Sequence, residues 1–237
     1  MHEIWQIDAK ENQKIKGGNK ACWLTITDEK SCGLIEAFAF AHSKISEVPI
    51  NQIQKALIEL FTKWGKPQCI KIDNGRPLAD PTKDSPLPPL ALWLISLDIH
   101  LIFNRKYTPT DNAKVERMQG VSKSLAEPRL CQSLDRLNHQ LRQACLFQRR
   151  HYPTRTLKKK TRVEVYPELD KPTNRPFNNE VDRIKVFQVL TKHKWTRKVT
   201  MSGQISFMGR KWQIGQKYSG EMVSIELNSN GILYRNN

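Results

Sequence analysis

Long apolar stretches are missing from this chain. The most apolar segment, Leu87–Phe103, is interrupted by Pro88, Pro89, Asp98 and His100, which makes a bilayer-spanning helix too costly. Cysteines are few and dispersed: Cys22, Cys32, Cys69, Cys131 and Cys145 include no C-x-x-C pair. That argues against a disulfide framework or zinc knuckle and for a reducing compartment. Cys22 and Cys69 lie in apolar runs that suit a core. There is no internal repeat and no leader-like start, because MHEIWQIDAK already reads as a strand. Acidic residues are scarce, 23 against 39 Lys+Arg, for a formal net charge of +16.

The basic excess is one-sided. Residues 1–130 hold 18 basic and 15 acidic side chains, and residues 131–237 hold 21 and 8. Such an excess calls for a polyanionic partner, nucleic acid first among them; the alternative is a merely solubilising surface on the second half. At 237 residues and 38% hydrophobic content, the chain can build one medium domain plus a small one.

Residues 3–9, 21–28 and 34–40 read as three strands, joined by the polar connection Asn12–Asn19 and a short turn at Glu29–Gly33. Ile50, Ile53, Leu57, Leu60, Phe61 and Trp64 then recur at helical spacing, between Pro49 and Gly65. CIKIDNG is a fourth strand ending in a turn, residues 88–97 an apolar helix and His100–Phe103 a fifth strand. A helix from about Asn112 ends at Pro128, and another spans about Ser133–Arg149. The order predicts an α/β fold, a mixed five-stranded sheet with helices on both faces. From His151 to about Lys192 periodicity fades among Pro153, Pro167, Pro172 and Pro176, as in a linker tracking over a surface or along DNA. The remainder alternates short strand-like runs with glycine turns, the pattern of a small five-stranded barrel.

Three acids stand in distinctive settings: Asp8 in WQIDAK, Asp73 in IKIDNG and Glu116 in DNAKVERM. The first two end apolar strands, and the third sits early in a helix. In a mixed sheet the first and fourth strands can lie side by side in parallel, which makes Asp8 and Asp73 neighbours. Oxygen ligands suit Mg²⁺, and a cation would relieve the mutual repulsion of three carboxylates. Two such ions, about 3.5–4 Å apart, clamp the attacking and leaving oxygens of an in-line phosphoryl displacement. Each acid also has a plainer reading: a strand-end solubilising residue, an Asp-Asn-Gly turn, an exposed helix acid.

In this order the three segments resemble the catalytic core of retroviral-type integrases and bacterial insertion-sequence transposases, the DDE superfamily with an RNase H-like fold. PLPPLALWLISLDIHLIFNRKYTP and RRHYPTRTLKKKTRVEVYPEL resemble the bacterial subgroup, and Lys194–Arg235 the small C-terminal β-barrel often found there. The resemblance implies an RNase H-like core over residues 1–150, a basic linker over 151–193 and a DNA-binding barrel over 194–237. It makes Asp8, Asp73 and Glu116 the catalytic, metal-binding triad, with two Mg²⁺ per site and Mn²⁺ as a substitute. The implied activity is divalent-metal-dependent DNA strand cleavage and transfer, in the bacterial cytoplasm at the nucleoid. Its partners are transposon ends and target DNA, with no membrane, and two ends need two sites, hence a homo-oligomer on DNA. There are departures. Asp73 and Glu116 are 43 positions apart, more than is usual; Ala113 stands where Gly is usual; and the sequence starts at the first strand, without the helix-turn-helix region such transposases carry upstream. A truncated or domesticated derivative that coats DNA without cutting it is therefore a second reading, and a nuclease for RNA–DNA hybrids a third.

Candidate DNA contacts follow. On the Glu116 helix, Asn112, Glu116, Gly120 and Lys123 share a face, flanked by Lys114 and Arg117, with Gly120 allowing close backbone approach. Arg105 and Lys106 precede the helix. Arg149, Arg150, Arg155, Lys158, Lys159, Lys160 and Arg162 form the densest cationic stretch, suited to sequence-independent phosphate contacts. In the terminal strands Trp195 and Trp212 are candidates for stacking on bases or for the core, the core being favoured for Trp212.

Overall fold

The computed structural model describes residues 2–73, 75, 87–105, 108, 110, 113–228 and 231–236. Five strands, β1 (Ile4–Lys14), β2 (Lys20–Asp28), β3 (Leu34–Phe40), β4 (Cys69–Ile72) and β5 (His100–Phe103), form one sheet in the order β3-β2-β1-β4-β5. β1, β2 and β3 pair antiparallel, and β1–β4 and β4–β5 pair parallel. This is the mixed sheet the element order predicts.

Both faces are apolar because the strands alternate between two cores. Cys22, Leu24 and Ile26 of β2 face one cluster, while Ala21 and Trp23 face the other. The first is covered by α1 (Ile50–Trp64) and α2 (Pro89–Ser96), and the second by α3 (Ala113–Ala126) and α4 (Leu134–His151). Pro49 is the N-cap of α1, and Gly65, at φ +84°, ends it by donating its N–H to Phe61 O at 2.8 Å. α3 stops where Glu127 turns left-handed before Pro128, and Ser133 Oγ caps α4 by accepting from Arg136 N. Cys22, Cys131 and Cys145 are buried, Cys32 and Cys69 half-buried, and all five are free thiols.

β1 is longer than expected. It pairs with β2 as far as Lys14, with a register shift between Lys10 and Gln13, and Asn12 takes φ +56° and donates to Ser43 O at 2.6 Å. The hairpin turn is confined to Ile15–Asn19. The run KENQK conceals this pairing because its side chains face outward or are only half covered.

β3 is an outer strand, and α4 closes it with side chains. Asn138 accepts from Ala39 N at 2.8 Å and donates to Ala39 O at 3.1 Å. Gln148 accepts from Leu34 N and donates to Cys32 O. Arg149, expected in the DNA-contacting stretch, is instead buried at 2% exposure. It donates to Leu34 O and Ile35 O at 2.6 and 2.7 Å, and its guanidinium lies 5.3 Å from the Trp64 ring on the opposite face. Arg162 is likewise buried, donating to Cys32 O at 2.8 Å. Neither side chain is available to a phosphate, because the backbone of this sheet edge uses both.

The stretch after α4 tracks over the protein's own surface. It includes α5 (Arg162–Val165), held by a capping box between Thr161 and Glu164, and α6 (Arg183–Leu190). Leu169 is fully buried against Gly33, where an added Cβ would stand 2.7 Å from Leu169 Cδ1. Arg150 pairs with Asp170, Asn174 N donates to Lys63 O, and Trp93 Nε1 donates to Asn179 Oδ1. Phe177 packs on Phe61, Asp182 N donates to Ser96 O, and Lys185 pairs with Asp98. The segment thus crosses from α4 round to α1 and α2.

Five strands follow: β6 (Lys194–Lys198), β7 (Gln204–Phe207), β8 (Arg210–Gln213), β9 (Met222–Asn228) and β10 (Gly231–Asn236). They pair as β10-β9-β6 and β7-β8, two small sheets around one core of Trp195, Val199, Ile205, Phe207, Val223 and Ile225. Trp195 is core rather than a stacking surface. Trp212 packs against the same cluster and donates to Phe207 O at 3.2 Å. Gly203, at φ +71°, is obligatory, since a Cβ there would lie 2.5 Å from Gln216 N and Gly215 C.

Two predictions follow from this packing. Arg149→Met should destabilise the chain by about 3 kcal/mol, because two buried carbonyls lose a charged donor; urea unfolding of the two proteins measures it. His2 is packed between Trp5 and Trp64, and its Nδ1 accepts from Trp5 Nε1 at 3.2 Å. Burial holds its pKa below the ordinary 6.5, against the opposing pull of Asp28. The unfolded chain therefore takes up the proton first, so stability is complete above pH 6.5 and declines as pH falls towards the lowered folded value. Melting curves from about pH 7.5 to 5.5 should show this decline, weakened in His2→Phe.

Candidate active site and its basic flanks

The parallel register of β1 and β4 brings two of the three acids side by side. Ile7 pairs with Ile72, so Asp8 and Asp73 are the next residues on adjacent strands. Ile7 and Ile72 both face the α1–α2 core, and strand alternation turns the following positions towards the α3 face. Asp8 is half-buried and lies opposite the buried Thr25 of β2. Asp73 is exposed just past β4, and its Oδ1 accepts from Gly75 N at 3.1 Å. The turn chemistry of Asp-Asn-Gly is thus realised at Asp73.

Glu116 is exposed in the first turn of α3, which packs across β1 and β2. The inward face of α3 is Val115, Met118, Gln119, Ser122 and Ala126, and Glu116 shares one flank with Gly120 and Lys123. A cleft along that flank and a second one beside Asp73 share Gln13. One, of about 740 Å³, is lined by Lys14, Gly120, Lys123 and Arg129; the other, of about 490 Å³, by Lys10, Glu11, Lys44, Asp73 and Gly75. A Cβ on Gly120 would meet nothing within 4 Å, so this flank is bare backbone open to solvent.

The donor set fits a hard divalent cation in chemistry, being all carboxylate oxygen. Gly75 fits as well: an added Cβ would stand 3.0 Å from Asp73 Oδ2, so glycine keeps the free edge of that carboxylate clear. Among the described residues, however, no group of three or more His, Cys, Asp or Glu side chains is gathered to hold a metal. Asp8 and Asp73 are neighbours in register, and the trio with Glu116 is not preassembled.

The remaining candidates are scattered. Arg105 and Lys123 are exposed, while Lys106 and Asn112 lie outside the described residues. Lys114 pairs with Glu29 at 3.0 Å, and that hydrogen bond raises its pKa. Arg117 is exposed on the other flank of α3. Lys158, Lys159 and Lys160 are exposed on a tight turn in which Lys158 and Lys159 take φ +53° and +64°. Lys10, Lys14, Lys44 and Arg129 line the clefts but were not singled out from the sequence. Only tertiary placement distinguishes them from other surface cations.

No protein-family profile matches the chain. Among solved structures it is similar to the simian T-cell lymphotropic virus intasome in complex with a PP2A regulatory subunit, at TM-score 0.50 and 17% identity, over 99% of this chain and 76% of that one. The magnesium-bound HTLV-2 integrase catalytic core gives TM-score 0.47 and 20% identity over 69% of this chain and 95% of that one. The BIV integrase core gives 0.48 and 17% over 72% and 97%. At such identities the likeness speaks to architecture, and the mixed sheet with its flanking helices has the fold of a retroviral-type integrase core.

Proposed function

We propose that this chain is a DNA strand transferase of the transposase and integrase type. The observation that carries the reading is the placement of Asp8 and Asp73 in consecutive register on neighbouring parallel strands, under a helix with Glu116 in its first turn. An integrase-type fold and a basic surface accompany it. Residues 1–150 act as the catalytic core, 151–193 as a basic connector and 194–237 as a small DNA-binding unit. Two ends require two such sites, so the chain works as a homo-oligomer on DNA, at the bacterial nucleoid.

Asp8, Asp73 and Glu116 would hold the metal, Mg²⁺ or Mn²⁺, with two ions per site. Bound there, the ions supply the Lewis acidity that phosphodiester cleavage and joining need. Gly75 orients Asp73 by holding Oδ1, which leaves Oδ2 to serve as ligand. Lys123, with Arg105 and Lys106, steers phosphates towards the carboxylates. A second reading is a derivative that coats DNA without cutting it, for which the basic surface alone would serve.

Two measurements test the proposal. Mg²⁺ or Mn²⁺ should raise the melting temperature by about 2–4 °C per kcal/mol of binding, and Asp8→Asn, Asp73→Asn or Glu116→Gln should remove the rise. Asn at 73 keeps an acceptor for Gly75, so the turn itself survives. In a metal-dependent strand-transfer assay on pre-cleaved ends, each variant should lose roughly a hundredfold or more in activity while binding DNA nearly as before. Full activity in any one of them refutes the site, and an inactive unaltered chain that still binds DNA favours the second reading.

A further inference from the structure

α3 has a second basic flank. At about 100° per residue, Arg117 diverges from Glu116, and the face of Lys114, Arg117 and Val121 turns away from the carboxylates. Against it lies the turn Thr154–Lys160, and between them is a cleft of about 520 Å³. Arg117, Tyr152, Thr154, Arg155, Thr156 and Arg162 line it, with Lys114 at its side already paired to Glu29.

Two of the cations in this cleft, Arg117 and Arg155, are exposed, and the others are already engaged. Arg162 is 3% exposed, and its partners are the Cys32 and Tyr152 carbonyls and Met118 Sδ. Committed to these acceptors, it forms the floor of the cleft and is not a contact for phosphate. Arg117 and Arg155 are exposed and form no side-chain hydrogen bond or ion pair among the described residues. The turn is firm: Lys159 N donates to Thr154 O at 2.8 Å, and Thr154 N donates to Lys160 O at 3.2 Å. It sets Lys158, Lys159 and Lys160 outside the cleft and holds the Thr154 and Thr156 hydroxyls 3.2 Å apart. Cations, hydroxyls and a partly exposed tyrosine around one opening match a sugar-phosphate backbone, for which forked guanidinium groups are well shaped.

We infer that this cleft binds the phosphodiester backbone of a second DNA segment, separate from the one that reaches Glu116. The inference rests on the strand-transferase reading for the identity of the polyanion, and its test needs no catalysis. The full chain, in EDTA, is titrated with a labelled duplex of about 30 base pairs across a range of salt. Arg117→Ala/Arg155→Ala should lower the slope of log affinity against log salt by about 1.8, the loss of two phosphate contacts. Arg117→Lys/Arg155→Lys, which keeps the charge, should restore most of it. In the unaltered chain, the duplex should protect Arg117 and Arg155 from phenylglyoxal, a readout that does not depend on a variant folding. An unchanged slope together with unprotected arginines, in a chain that does bind DNA, overturns the cleft assignment alone. An unaltered chain that binds no duplex overturns both readings, and displacement of the duplex by an acidic peptide at equal charge concentration assigns the cleft to a protein and overturns the inference.

Discussion

The architecture depends on how the outer edge of the sheet is closed. An exposed edge strand carries unpaired amides and carbonyls and invites pairing with another chain. On β3 those groups are taken up by Asn138, Gln148 and Arg149, all from one helix. Asn138 imitates a neighbouring strand by donating and accepting at Ala39, and Arg149 passes round the edge to the indole of Trp64. Helix, strand and the opposite core are thereby tied together by polar contacts whose removal would strand buried backbone atoms.

The same contacts reach the candidate site. Gln148 Nε2 and Arg162 Nη2 both approach Met118 Sδ, at 3.0 and 3.8 Å, two residues from Glu116. Met118 and Ser122 are buried against the sheet, so the helix carrying Glu116 is fixed from below by apolar packing and from the side by α4 and α5. β1 and β4, by contrast, set Asp8 and Asp73 side by side through backbone register. The site therefore combines two acids set by the sheet with one set by a helix, and the cation-lined clefts lie on either side of that helix. This separation gives a +16 chain two distinct cation-lined openings.

Much of the core could be read from the sequence because its signals are local. The helical spacing from Ile53 to Trp64 and the apolar strand that stops just before Asp73 are properties of single segments, and the structure keeps them, whereas Asp8, expected at a strand end, stands in the middle of β1. What escaped notice depends on distant partners. β1 extends through KENQK because Ala21 and Lys20 come opposite Gln13 and Lys14, and no period within the run reveals that. Arg149 and Arg162 look like their exposed neighbours, yet they are buried because β3 and Cys32 need donors. α5 has a local signal, since Thr161 and Glu164 have the spacing of a capping box, but it is a single turn between Pro153 and Pro167, too short for an apolar period. Of the acids, the sequence could show type and order, and the register supplies the adjacency of Asp8 and Asp73; the position of Glu116 depends on how α3 packs across β1 and β2.

The path after α4 has a mechanical consequence. Leu169 plugs Gly33, Phe177 rests on Phe61, and α6 lies on α2, only a few residues ahead of β6. Leu190 at the end of α6 also joins the terminal core. The two small sheets are therefore moored rather than leashed: a large swing would have to unzip these attachments one after another, so their reach is governed by the energy of peeling rather than by the length of slack chain.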